Sequence, residues 1–305
     1  MNKLNVKTLL ATIFALFAFA GNSVLCRLAL GNEVIDATSF TIIRLFSGAL
    51  ALSVIFFVGR KLAKHNRLFI SSEQPKSAAK KWQASLMLFV YAAGFSYAYI
   101  ALDTGVGALV LFGSVQITMI AVSIFKKEYL PWYKWIGLIL AFSGLSFLVY
   151  SQVNWSSANL SFIGFLLMTL AGLAWGAYTL IGRGSVSPLI DTNTSFMLST
   201  FLCIPLLMVY WFMPALLTEQ GFWLAIASGV ITSALGYAIW YVALVGLSRV
   251  QAGVVQLLVP VIAAIGGLIW IGEAITSELI VAQVLVISGI LLVMINRSAK
   301  NKQNV

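Results

Sequence analysis

Arg44 stands inside an otherwise apolar run from 38 to 58. A cation in such a setting either meets an anion in a cavity or reaches back toward the nearest polar surface. If the run is helical, Arg44 lies about six residues, or roughly 9 Å, from the end nearer Asp36. From there it can meet a substrate carboxylate, snorkel to that end, or pair with Asp36 or Glu33. Asn22, Tyr91, Tyr99 and Gln116 in the first half of the chain are candidates to line a cavity with it, as are Trp175, Tyr178, Tyr237, Tyr241 and Gln256 in the second. Tyr237 and Tyr241 are one helical turn apart, as are Gln256 and Pro260, so each pair shares a helix face. Pro260 falls in the middle of a predicted helix and removes one backbone hydrogen bond there, which makes it the candidate hinge or a site that exposes a carbonyl to the cavity, with a static kink as the alternative.

Other chemistry is missing from the pattern. No GxxxxGK loop is present to hold ATP phosphates, and the single histidine, His65, lies in a basic loop. The apolar runs contain no His/Cys/Asp/Glu cluster for a metal, or for a nucleophile with its base, so neither an enzyme nor a cofactor is expected. Cys26 and Cys203 read as packing residues. The runs hold no deep carboxylate, and Asn22 stands where a cation-binding site would need an acid. Anionic, zwitterionic or neutral ligands are therefore favoured over cationic drugs. Glu33, Asp36 and Asp103 read as solvated loop residues, with a titrating role as the alternative, Arg27 as an interfacial cation, and Glu273 as an interfacial stop.

These residues need a membrane to position them. The 305 residues are 61% hydrophobic and 9% charged, too little polar surface to coat a water-soluble globule. Apolar runs between charged or Pro/Gly-marked breaks predict helices near 8–26, 38–58, 82–102, 104–125 and 133–151, then 160–181, 193–213, 221–246, 249–271 and 276–296. The fold class is thus all-α and polytopic, with ten transmembrane helices. Ala18-Phe19-Ala20 resembles a signal-peptidase site, but the apolar run continues to Cys26 and reads as a retained first helix. With the amino terminus in the cytoplasm, 17 of the 19 basic residues fall inside, and Arg27 is the one basic residue at the outer face. The positive-inside rule therefore places both termini in the cytoplasm of a cell (inner or plasma) membrane and accounts for most of the net charge of +10 without nucleic acid. Trp82, Trp132, Tyr133, Trp135, Trp155, Trp211 and Trp223 sit at predicted helix ends, as interfacial belts require. Gly172 and Gly176 have the spacing that lets helices approach closely, with packing as the default and a homodimer rather than a monomer as the other option.

The chain repeats itself. At a spacing of 156, Ala15, Ala18, Arg27, Thr38, Ser39 and Phe40 recur as Ala171, Ala174, Arg183, Thr194, Ser195 and Phe196. The spacing becomes 142 for Gly94 and Tyr99 against Gly236 and Tyr241, and 145 for Glu128, Ser143 and Gly144 against Glu273, Ser288 and Gly289. Two units follow, 1–155 and 156–305, each with five helices. Five is odd, so the second unit runs through the membrane inverted, the architecture of carriers that open alternately to either side.

Several stretches carry a resemblance across nearly the whole chain. They are Gly21-Asn22-Ser23-Val24, Arg44, Ser143-Gly144, Ala174-Trp175-Gly176-Ala177-Tyr178, the run from Gly236 to Leu244, Pro260, Gly272-Glu273 and Ser288-Gly289. The chain resembles the EamA-type branch of the drug/metabolite transporter superfamily. The resemblance implies export or exchange of amino acids, related metabolites or drugs through a central cavity, without ATP. The halves are not equivalent, since Lys127-Glu128 faces Gly272-Glu273 and Val115 faces Pro260. The expectation is a carrier of small amino-acid-like or carboxylated solutes. Lipid flipping, drug export, a non-transporting membrane partner and membrane-embedded transfer chemistry are the alternatives.

Overall fold

The structure, a computed structural model, describes residues 6–62, 77–125, 131–152, 160–182, 185, 187–212, 215–247 and 255–294. His65, Lys127, Glu128, Trp155, Arg183 and Arg249 lie outside them, with most of the charges assigned to the cytoplasm. The described residues form helices α1 (Val6–Gly31), α2 (Ala37–Leu62), α3 (Ala78–Ala98), α4 (Thr104–Phe125), α5 (Trp132–Gln152), α6 (Leu160–Gly182), α7 (Pro188–Leu202) and α8 (Ile204–Phe212). There follow α9 (Glu219–Ala227), a π-helical stretch (Ser228–Leu235), α10 (Gly236–Gly246), α11 (Val259–Trp270) and α12 (Ser277–Met294).

Because α8 continues α7 and the π stretch joins α9 to α10, these segments make 10 helical rods among the described residues. Seven are long and apolar enough to cross a membrane, and the described parts of two more, 259–270 and 277–292, are shorter apolar helices. Large apolar side chains such as Phe46, Phe57, Phe142 and Trp270 point outward, which is stable where lipid is the solvent. The chain is an all-helical, polytopic membrane protein.

Helix starts have local causes. Asp36 caps α2, its carboxylate accepting the Ser39 backbone N–H at 2.8 Å and the Ser39 hydroxyl at 2.6 Å. Thr218 caps α9 by accepting the Gly221 N–H, and Glu219 in the first turn complements the helix dipole. Three predicted helices differ from a simple rod. The 193–213 helix starts earlier, at Pro188, and breaks at Cys203, because Pro205 lacks an N–H and its ring crowds the carbonyl of Phe201. The 221–246 helix passes through the π stretch, where the Gly236 N–H reaches back to the Ile231 carbonyl. Pro260 is not in the middle of a continuous helix. A turn at Leu257–Leu258 precedes it, so it occupies the first turn of α11, where its missing N–H costs little.

Small residues set the helix crossings. Gly172 and Gly176 of α6 face Ser114 and Thr118 of α4, so their spacing serves packing within the chain. Gly289 of α12 lies against the backbone of Gly137 and Ala141 on α5, and Gly144 of α5 lies against Ala282, Leu285 and Val286 on α12. A Cβ at Gly289 would come within 2.6 Å of the Ala141 nitrogen. Gly289→Leu is therefore expected to lower stability by about 1–3 kcal/mol, read as a lower thermal midpoint of the detergent-solubilised protein. Val281→Leu on the outward face of α12 should leave that midpoint unchanged.

Candidate functional site

Arg44 is 1% exposed, although it sits in a long apolar helix. Burying an arginine at the centre of a membrane helix costs about 3 kcal/mol on insertion scales. Its guanidinium carbon lies 5.2 Å from the Tyr91 ring centre and 4.9 Å from that of Phe95, one turn along α3. Its Nε donates to the Ser233 hydroxyl at 3.2 Å. Among the described residues its Nη1 has no hydrogen-bond partner and Arg44 takes part in no salt bridge. Snorkelling and pairing with Asp36 or Glu33 are both excluded by this geometry. Asp36 is committed to Ser39 and to the Leu216 N–H, and so cannot reach down to Arg44.

A polar network lies beside this cation. Asn22 of α1 donates to the Tyr91 hydroxyl at 3.2 Å, and its carbonyl oxygen accepts from Ser228 at 2.7 Å and Thr232 at 3.0 Å. The Tyr237 hydroxyl of α10 meets that of Tyr91 at 3.2 Å. Trp175 of α6 forms the apolar wall, its ring centre 4.8 Å from Tyr91, 4.7 Å from Tyr237 and 5.4 Å from Tyr178. Phe19 of α1 packs against both Trp175 and Tyr237.

The π stretch makes this arrangement possible. In a regular α-helix each residue turns about 100°, so Ser233 would point roughly 140° away from Ser228. With i to i+5 bonding the turn falls to about 80° per residue, and Ser228, Thr232 and Ser233 share one face. That face serves Asn22 on α1 and Arg44 on α2 together. The close approach is allowed by Gly229, which lies against the Arg44 carbonyl and Ser47.

The expected site residues therefore separate into groups. Asn22, Arg44, Tyr91, Trp175 and Tyr237 come together. Tyr178 touches this group through Trp175 and continues toward Thr192 and Tyr241, between α6, α7 and α10. Gln116 and Gln256 are buried on α4 and just ahead of α11, with Pro260 next to the latter. Tyr99 belongs elsewhere: it ends α3, packs on Phe95 and donates to the Thr104 carbonyl at 3.3 Å, holding the α3–α4 turn. Ser228, Thr232, Ser233, Phe95 and Phe19 were not among the expected residues. Three hydroxyls within the apolar run 221–246 were a usable signal, but α-helical spacing puts Ser233 on the wrong face.

At the end of the bundle that carries Asp36 and Asp103, Arg27 is a junction. Its Nε donates to Glu273 at 3.0 Å, its Nη2 to Asp103 at 3.2 Å, and its Nη1 to the carbonyls of Tyr99 and Ile100. The other Glu273 oxygen accepts the Thr104 N–H at 2.8 Å, starting α4. The reading of Arg27, Asp103 and Glu273 as separate interfacial or solvated groups is corrected by these bonds. Nearby, the 34–36 segment pairs with 216–218, through an antiparallel bridge between Ile35 and Leu217 and the Thr218 N–H on the Val34 carbonyl.

Asn22→Leu would strip the Ser228 and Thr232 hydroxyls of a shared acceptor and the Tyr91 hydroxyl of a donor. It is expected to cost about 1–3 kcal/mol, read as a lower thermal midpoint than that of Asn22→Gln or the parent.

Comparison with known proteins agrees with this architecture. Residues 162–295 match the model of the EamA-like transporter family. The chain is 43% identical over 291 residues to an uncharacterized protein of Pseudomonas aeruginosa, covering 95% of this chain and 96% of that one. It is 24% identical over 265 residues to an uncharacterized transporter of Bacillus subtilis, covering 85% and 88% of the two chains. A solved crystal structure superposes with a TM-score of 0.63 over 93% of this chain and 96% of that one, at 16% identity, which shows a shared fold. The chain belongs to the EamA-like transporter family, and is a multi-pass membrane transporter rather than an enzyme.

Proposed function

We propose that this transporter moves small carboxylated or amino-acid-like metabolites without ATP, by alternating access around Arg44. The observation that carries the reading is the buried guanidinium with an unpartnered Nη1, held over two aromatic rings where α2, α3 and the π stretch meet. A carboxylate is the group whose planar oxygens match a guanidinium edge, and a low-dielectric setting strengthens that match. Trp175, Tyr237 and Phe19 offer apolar surface for the rest of the solute.

The membrane arrangement belongs to the same proposal: ten crossings in two inverted five-helix units, 1–155 and 156–305, both termini cytoplasmic. Its support is a set of exchanged contacts. Gly144 lies against Ala282 and Val286, while Gly289 lies against Gly137 and Ala141. Each residue in the first contact has its counterpart in the second at the repeat spacing of 145. Whole helices exchange likewise. The α3–α6 contact corresponds to that of α10 with α1, α4–α6 to α11–α1, and α3–α7 to that between the π stretch and α2. A two-fold axis in the membrane plane produces this pattern. In this arrangement Arg27 is an outer latch, joining α1 and the α3–α4 turn of one unit to the end of α11 in the other.

Two outcomes are expected. In proteoliposomes a labelled carboxylate should show saturable counterflow that Arg44→Gln abolishes and Arg44→Lys partly restores. Counterflow undiminished in Arg44→Gln would remove the residue from the site. In a Cys203→Ser background, Cys26, fully buried one residue before Arg27, should resist a membrane-impermeant thiol reagent added outside. Glu273→Gln should speed that labelling at least severalfold by opening the latch, and an unchanged rate would show that the latch is not a gate.

A further inference from the structure

Resting on the carrier reading above, we infer that the site takes a monoanionic organic acid lacking an α-ammonium group, and that the carrier turns over only when loaded, as a one-for-one anion exchanger.

The charge balance around Arg44 leads to both parts. The ionisable groups that act on it are Tyr91 of α3, Tyr237 of α10 and Cys26 of α1. These are two phenols and a thiol, and none of the three is a carboxylate. The carboxylates nearest in the chain are engaged elsewhere: Asp36 with Ser39 and Leu216, Asp103 and Glu273 with Arg27. The group is thus one fixed positive charge with no acid among the described residues to offset it. One carboxylate neutralises it.

An α-ammonium would find no counter-charge among the described residues. The Asn22 carbonyl oxygen beside Tyr91 accepts from Ser228 and shares the Thr232 hydroxyl proton with the Ser228 carbonyl. The remaining acceptors are neutral hydroxyl oxygens, and among the described residues no carboxylate stands there to match an ammonium. The neighbouring ring faces of Tyr91 and Phe95 already carry the guanidinium, which repels a second cation. A zwitterion would therefore bury an unmatched charge where the corresponding oxo acid would not.

The same balance governs turnover. Passing between outward- and inward-open forms requires a moment when both sides are sealed, and the central group is then cut off from water. With an anion on Arg44 the sealed core is neutral. Without one it holds an isolated cation in a low-dielectric interior, the costly arrangement for any buried ion. Loaded carriers cross and bare ones stall. Each turnover carries one monoanion outward and one inward, so no net charge moves.

The test uses the full chain in proteoliposomes loaded with labelled phenylpyruvate, 4-methyl-2-oxopentanoate or pyruvate. The outside holds nothing, the same unlabelled acid, or the amino acid with the matching side chain. For at least one of the three acids, efflux should rise at least about tenfold with the external acid. It should not rise with the amino acid, and it should ignore a potassium potential of either sign set with valinomycin. Efflux as fast without an external anion, or a rate that follows the potential, would overturn exchange while leaving the carrier reading intact. Equal stimulation by the amino acid would overturn the monoanion assignment alone. Protein-dependent flux of none of the three acids would overturn the carboxylate reading and this inference together.

Discussion

A buried guanidinium that pairs with no acid among the described residues sets the terms for the rest of this structure. Lipid offers no hydrogen bonds, so every polar group in the interior needs a partner from the protein or from its solute. Arg44 meets part of that need with two aromatic rings and one serine hydroxyl. The serine reaches it only because the backbone of 228–235 is wound as a π-helix, and that winding fits only because Gly229 lets α2 come close. Asn22 completes the arrangement by tying α1 to the same face. A loose-looking irregularity in one helix is thus the means by which two others are served at once.

The end of the bundle that carries Asp36 and Asp103 answers a different constraint. Helix ends expose carbonyls and N–H groups, and here a few side chains satisfy several ends together. Arg27 takes the last carbonyls of α3, Glu273 takes the first N–H of α4, and the two pair with each other. Asp36 caps α2 and also holds Leu216 from the far half of the chain. These bonds are partly exposed, with the Arg27 and Glu273 side chains 19% and 12% accessible. The Arg44 group is 1% exposed, and the proposed function gives it a solute carboxylate as partner.

The sequence went far with the membrane and less far with the site. Most helices fall within a few residues of expectation, because an apolar stretch bounded by charges has few alternatives in a bilayer. The breaks at Cys203 and ahead of Pro260 escaped, since hydropathy stays high straight through both. Asn22, Arg44, Tyr91, Trp175 and Tyr237 were legible as rare polar or aromatic groups in apolar runs. Tyr99 was legible in the same way, yet it serves a turn, because residue type cannot say which way a helix faces. Ser233 was missed because the α-helical period assigns it to the wrong side.

What the sequence determined by itself is the solvent of this protein and the spacings at which its residues recur. Hydropathy is additive along the chain, and repeated residues at spacings of 156, 142 and 145 can be read without coordinates. What only the tertiary structure decided is the partnership of each charge. Arg27 found Glu273 across 246 positions, and Arg44 found no acid among the described residues although Asp36 lies eight positions away. Distance along the chain sets neither outcome. Helix rotation and close packing set both, because a side chain in lipid can bond only to what its own face meets.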